Sequence, residues 1–303
     1  MAIADDGSVY IKRQPEILSS IEQSQRELID PDIENRNDQV LSEMNMIMSD
    51  RLNSVEEFIE EVQNSWDINK AEGFALDNLL ALKKVRRIPA SRSFTNFQVV
   101  NGQSGVTIPS GRLMRNVNTQ EEFYVVGSTT LEIGDCYYAD IAVNTVNVGD
   151  DYVVLVDGYT ATYTAQIGDT ENDILVGLSS AITVATPAGY GMVDISTEQP
   201  NSYRIYRNNP VTVTAAEKIS ANISSNMRAT AITTAIRVEA VEFGAVVAPE
   251  NSIEEFVVPL SGIYYTYNAE SAILGRLTET DEEFRERGKN ARLTDGVGTI
   301  PAI

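Results

Sequence analysis

The chain has 303 residues, with 44 acidic side chains against 23 basic ones, no histidine, a formal charge of −21 and 43% apolar content. That is enough apolar material for one large domain or two to three ordinary ones. The acidic balance argues against nucleic acid and against anionic membrane surfaces, both of which are bound through lysine and arginine patches. Without histidine the chain lacks the commonest general base near neutral pH, the usual activator of serine and cysteine nucleophiles, and the commonest transition-metal ligand.

A single cysteine, Cys136, precludes an intrachain disulfide framework and fits reducing, cytoplasmic assembly; it is expected to be a buried, inert thiol. Residues 1–7 are acidic and lack a basic-then-apolar secretory pattern. The first 90 residues read as helices. One spans residues 15–29, with Pro15 in its first turn and Pro31 beyond its end.

Next, Leu41, Met44, Met48, Leu52, Val55, Ile59, Val62 and Trp66 step by three or four, the period of one helix face. Ser54 with Glu57 has capping-box spacing, so this stretch is one long helix or two meeting near Asn53. Its stripe fits packing within its own domain, or a bundle seam with another chain. Met44, Met46 and Met48 suit the second, because unbranched thioethers adapt to partner surfaces. A further helix over 74–83 ends in Lys83, Lys84, Arg86 and Arg87, cations suited to a helix C-terminus and to pairing with the chain's own acids.

After Pro89 the pattern turns to strands at 95–100 and 122–126, with turn chemistry at Asn101-Gly102 and Pro109-Ser110-Gly111. Residues 128–235 read as an inserted ββαβββ module. It contains a hairpin of 152–156 with 160–165 joined at Asp157-Gly158, a helix capped by Gly168-Asp169-Thr170 that buries Ile174, Leu175, Leu178 and Ile182, and strands at 192–195, 203–206 and 211–215. Residues 174–193 hold no charge over a bilayer-spanning length. They are too polar and too interrupted by glycine and proline for a membrane helix.

Strands resume over 236–243, 253–258 and 263–267, where alternation places Tyr265 and Tyr267 on one face and Tyr264 on the other. A final helix opens at Thr280, boxed with Glu283 and anchored by Phe284. Residues 299–303 look like another helix start, too short to bury anything, so the natural polypeptide is expected to continue beyond Ile303.

No catalytic constellation emerges. There is no G-x-S-x-G elbow, S-x-x-K dyad or P-loop. Paired carboxylates such as Glu121/Glu122 and Glu254/Glu255 read as solvated faces. Asp169, Glu171 and Asp173 lack the glycine and the trailing acid of a calcium loop and read as helix capping. No cofactor, metal or enzymatic activity is expected.

Residues 71–91 read AEGFALDNLLALKKVRRIPAS: a small residue and glycine, Leu-Asp, an apolar helix, arginine and Pro-Ala ahead of a strand. Farther on, Gly244, Ala248, Pro249, Ile253, Pro259, Gly262, Asn268, Gly275, Glu279, Asp281, Phe284, Arg285 and Arg287 follow in order, with residues 107–111 as a third piece. Together these resemble the baseplate J-like family, the wedge proteins of contractile phage tails and related injection systems. The resemblance covers about half of the chain; it omits 128–235, although 157–182 is similar to a small module recurrent in phage tail proteins. Lys83-Lys84-Val85 stands where the family has a glycine turn.

The resemblance implies a virion tail-baseplate protein assembled in the host cytoplasm, which self-associates into a ring around the hub. It implies contacts with other wedge and sheath-initiating subunits and relay of host contact to sheath contraction. The expected fold is α+β and multidomain: an N-terminal helical segment over 1–91, a discontinuous β-rich domain over 92–127 with 236–275, the inserted module, and a C-terminal helical start over 276–303. The expected interface comprises the Leu41-to-Trp66 stripe for other wedge chains, with Phe284, Arg285 and Arg287 for a self-contact. A second possibility is a host-surface adhesin that uses the tyrosine-rich β modules.

Overall fold

The computed structural model describes residues 2–3, 9–33 and 40–294, with side chains over 11–33 and 40–291. The expected helix start at 299–303 and most of the acidic 1–7 segment lie outside these described residues. The fold is α+β, in two compact units: Met1–Ile88 with Glu279–Ile303, and Pro89–Thr278.

In chain order the described elements are β1 (Ala2–Ile3), β2 (Val9–Tyr10), α1 (Gln14–Leu28), α2 (Val40–Ser65), α3 (Gly73–Ala81), β3 (Arg92–Gly102), β4 (Thr107–Ile108), β5 (Leu113–Asn116), β6 (Glu122–Val125), β7 (Thr129–Thr130), β8 (Tyr138–Val143), β9 (Asp151–Val156), β10 (Tyr159–Thr164), α4 (Glu171–Ala185), β11 (Tyr190–Asp194), β12 (Tyr203–Arg207), a 3-10 turn (Val213–Ala215), β13 (Ala221–Ile223), β14 (Met227–Phe243), β15 (Ile253–Phe256), β16 (Ile263–Asn268) and α5 (Asp281–Thr294).

In the helical unit, α2 is one uninterrupted helix of 26 residues. Ser54 does not cap a second helix; its hydroxyl donates to the Asp50 carbonyl one turn back, an ordinary mid-helix bond. α3 ends where Lys84 adopts φ 60°, with the Val85 N–H donating back to Leu80 O at 3.0 Å. This is the left-handed closure for which glycine is the usual residue, now made by a lysine. α5 opens with the expected box: Thr280 N–H and hydroxyl both donate to Glu283 Oε2, at 2.9 and 3.0 Å, and Glu283 N–H donates to Thr280 Oγ1 at 3.3 Å.

The second unit is organised by β14. Along one edge it pairs antiparallel with β3 from Ile232 to Phe243; along the other it pairs with β8 over Met227 to Thr233 and with β6 over Val238 to Ala240. The nine-stranded sheet then extends β11-β12-β8-β14-β6-β5-β15, with β16 beyond β3. The expected domain boundary at 235/236 therefore falls inside one strand. The module expected over 128–235 shares its sheet with the rest of the unit, because 17 residues of β14 are long enough to serve both halves.

The β9–β10 hairpin turns at Asp157 (φ 47°) and Gly158 (φ 88°), the pair of positive dihedrals that a two-residue type I′ turn needs. α4 buries Ile174, Leu175, Leu178 and Ile182, as its spacing predicts, and Thr170 boxes with Asp173. Cys136 is buried, and burial pushes its thiol up to about 12.

One strand and one turn expectation fail. Residues 211–215, expected as a strand, are instead a bend leading into the 3-10 turn Val213–Ala215, because Asn209 Oδ1 accepts from the amides of both Val211 and Thr212, at 2.8 Å each, and bends the chain after Pro210. The third strand of the module is β13, antiparallel to β9. Asn101-Gly102 is likewise no turn. A Cβ at Gly102 would stand 2.5 Å from Gly262 O, so the glycine admits the close approach of β16.

Within the sheet, Arg204 and Asp140 form a buried bidentate pair at 2.8 and 3.1 Å, with Tyr138 beneath the guanidinium at 5.3 Å. Replacing Arg204 by Met leaves the Asp140 carboxylate buried without its countercharge; denaturant unfolding is expected to show a loss of about 3 kcal/mol. At α3, Lys84→Gly relieves a left-handed side-chain penalty of about 1–2 kcal/mol less a glycine entropy cost of about 0.5–1 kcal/mol, so thermal unfolding should show a small gain.

Candidate assembly interface

α1 and α2 form an antiparallel pair whose packing inverts the usual pattern of apolar inside and polar outside. The α2 residues buried beneath α1 are Ser42, Asn45 and Ser49. Gln25 and Asn45 exchange amide hydrogen bonds at 2.8 and 2.9 Å, Gln14 Nε2 donates to Ser49 Oγ at 3.1 Å, and Arg13 pairs with Glu60 at 2.8 Å. Ile17 is the only fully buried apolar residue of α1. Short serines let the helices approach, and the paired amides fix which residues face each other. Each such bond contributes only about 0.5–1.5 kcal/mol net.

Because the polar face packs inward, the stripe predicted from sequence faces solvent. Leu41, Met44, Met48, Leu52, Val55, Val62 and Trp66 are all exposed, Met44 by 61% and Trp66 by 75%; Ile59 is half-buried. Val40, Ile47 and Phe58 widen the face beyond the predicted seam. Counting only a three-and-four step misses these three, because they sit at the margin of the face instead of its centre line. At the C-terminal end, Trp66, Phe74, Leu79 and Leu82 line an apolar groove of about 670 Å³, to which α3 contributes residues the periodicity does not reach. Monomeric soluble proteins rarely leave a contiguous apolar surface of this extent bare.

Phe284, Arg285 and Arg287, expected at a self-contact, are instead committed within the chain. Phe284 is 0% exposed in a core with Ala71, Leu76 and Leu80. The Arg285 guanidinium donates to the carbonyls of Ile68 and Ala71, at 2.9 Å each. Arg287 donates to both oxygens of Glu279, at 2.7 Å each, and to Arg86 O at 2.6 Å.

Glu279 also accepts from Ile88 N–H at 2.9 Å. Arg87 completes the lock, reaching Asp77 at 2.8 Å, Asp281 at 2.6 Å and Glu279 O at 2.8 Å, over the Phe284 ring at 4.8 Å. Asp281 accepts in addition from Gly73 N–H at 2.8 Å, and that bond, then Arg87, holds its carboxyl below the usual range. The basic cluster at the end of α3 thus reaches the chain's own acids through Arg87, as expected.

The remaining acidic motif that resembles ligand chemistry is structural. Asp169 accepts from Tyr163 hydroxyl and Gln166 N–H, and Asp173 sits in the α4 box. Among the described residues no group of three or more Cys, Asp or Glu side chains is placed to hold a metal ion, and no helix is long and apolar enough to cross a membrane. Residues 174–193, weighed as a span, divide between α4 and β11. Chemically, the face on α2 can bury apolar surface.

The Arg287 hydrogen bond, then the Ile88 amide, holds the Glu279 carboxyl at about 2, against an ordinary 4.5. A depressed carboxylate stabilises the fold above its unfolded pKa; the contribution should be complete above pH 4.5 and lost as pH falls toward 2. Glu279→Gln is expected to lower the stability of the helical unit at neutral pH and to flatten its acid limb, read from helical ellipticity in denaturant at several pH values. An unchanged acid limb would remove Glu279 as the origin. No known family model matches the chain, and no curated protein matches it.

Proposed function

We propose that this chain is a non-enzymatic wedge protein of a contractile-tail baseplate, assembled in the host cytoplasm and carried in the virion tail. The observation that carries the reading is the inverted α1–α2 pair: a helix of 26 residues buries serine and asparagine internally and leaves its apolar face bare. Such a face is stable in solution only marginally and is satisfied by a bundle with another chain.

The motif residues behind the baseplate J-like resemblance support the same reading. Glu279, Asp281, Phe284, Arg285 and Arg287 rigidify the helical unit by hydrogen bonds and burial. In this role α2 joins other wedge and sheath-initiating subunits, copies of the chain meet one another around the hub, and the ring transmits host contact to the sheath. With Phe284, Arg285 and Arg287 used internally, contacts between copies fall to other surfaces.

A host-surface adhesin is the second reading. It is favoured by the half-exposed Tyr264 and Tyr265 and by the stacking of Tyr265 on Tyr267, 6.2 Å between ring centroids. Specific binding of the chain to a glycan array would favour it over the wedge.

The wedge reading is tested by the triple replacement Met48→Asp, Leu52→Asp and Ile59→Asp. Wedge assembly with the other tail proteins should be lost while the β unit keeps its thermal transition, and antibody against the chain should label the baseplate of purified virions by electron microscopy. Normal wedges from the triple variant would sink the bundle; absence of label from virions would sink the baseplate.

A further inference from the structure

The bare face of α2 is defined by the charges beside it as well as by the side chains on it. At about 100° per residue, its apolar side chains from Val40 to Trp66, Met46 apart, fill a sector roughly 140° wide. Arg51 is the one charged residue inside that sector. Acids border it on both sides. Glu43, Asp50 and Glu61 lie beyond one margin; beyond the other comes the Ser42–Asn45–Ser49 seam that holds α1, which itself has three acids and one arginine. Along its whole length α2 has six acids to one arginine.

We infer that the occupant of this face is an amphipathic helix of a different protein, six turns or longer, whose apolar seam is flanked by lysine and arginine. Length follows from the face, which runs about 39 Å at 1.5 Å per residue. Chemistry follows from the borders, since residues flanking a helix seam lie opposite the flanks of the partner and choose it by charge.

A second copy of this chain fits poorly. It would bring Glu43, Asp50 and Glu61 of each α2 to the margin of one seam, inside the roughly 8–10 Å over which salt at physiological strength leaves charges coupled. A basic-flanked helix meets the same borders with opposite charge. The groove of Trp66, Phe74 and Leu82 closes the C-terminal end and takes one bulky apolar side chain of the partner. Met44 and Met48 adapt to the packing along the N-terminal half. The inference rests on the reading of α2 as the assembly helix and adds the identity of what it binds.

Trp66 is the only tryptophan of the chain and lies on this face, so emission from the intact protein reports occupancy directly. Two synthetic peptides of about four heptads serve as probes, both with leucine at a and d, one with lysine at e and g and the other with glutamate there. The lysine peptide should move Trp66 emission to shorter wavelength and bind roughly tenfold or more tighter than the glutamate peptide, a difference that narrows as salt rises.

Met48→Asp with Val55→Asp should abolish the shift although it makes the protein more acidic; a shift that survives this pair is non-specific attraction and overturns the inference. Equal binding of the two peptides overturns the partner's chemistry and leaves α2 as an assembly helix. A shift of the chain alone with concentration, matched by a dimer in sedimentation, makes the occupant a second copy and overturns the inference in the same way. No response to either peptide overturns both the partner and the assembly role of α2.

Discussion

Glu279 accepts from two nitrogens of Arg287 and from the amide of Ile88, and through those bonds a C-terminal helix and an N-terminal segment almost two hundred residues away in sequence become one helical unit. Arg87 repeats the device one residue earlier, spanning Asp77 of α3, Asp281 of α5 and the carbonyl of Glu279. Charge-assisted bonds with fixed guanidinium geometry suit this task, because they specify orientation as well as attraction. The small core of Ala71, Leu76, Leu80 and Phe284 is closed by them. Gly288 lies so near Leu80 that a Cβ there would stand 2.4 Å from its Cδ2.

Upstream, the helical unit is held differently. The α1–α2 contact uses reciprocal amides and small hydroxyl side chains, which select one register without consuming much apolar surface. Burial of a large apolar side chain contributes about 1.5–3 kcal/mol, more than any neutral hydrogen bond here. A long helix that withholds its apolar face from the rest of its own chain therefore leaves its largest source of burial energy unused within that chain. The net charge of −21 adds mutual repulsion between free copies of the chain.

In the β unit, legibility followed locality. The Asp157-Gly158 turn, the α4 cap at Thr170 and the four buried residues of α4 each depend on contacts within a few positions, and each has a sequence signature. The 17-residue β14 has no such signature: its length reflects neighbours from β3, β6 and β8, which lie tens to more than a hundred positions away. Asn101-Gly102 misled for the same reason. Its glycine answers a backbone approach from Gly262, a requirement invisible along the strand itself.

By itself the sequence determined the helix periods, the caps at Thr170 and Thr280, the Asp157-Gly158 turn and the apolar stripe from Leu41 to Trp66, because these arise from bond geometry and side-chain spacing over one or two turns. It left undecided whether that stripe faced inward or outward, since a 3.6-residue period is the same for a core helix and for a bundle seam. Only the tertiary structure decided this, by giving α1 the polar face through Asn45 and Ser49. It also committed Phe284, Arg285 and Arg287 within the chain: Phe284 packs on Leu80 and Arg285 reaches the Ala71 carbonyl, each about two hundred positions away, while Arg287 turns back to Glu279 ahead of its own helix.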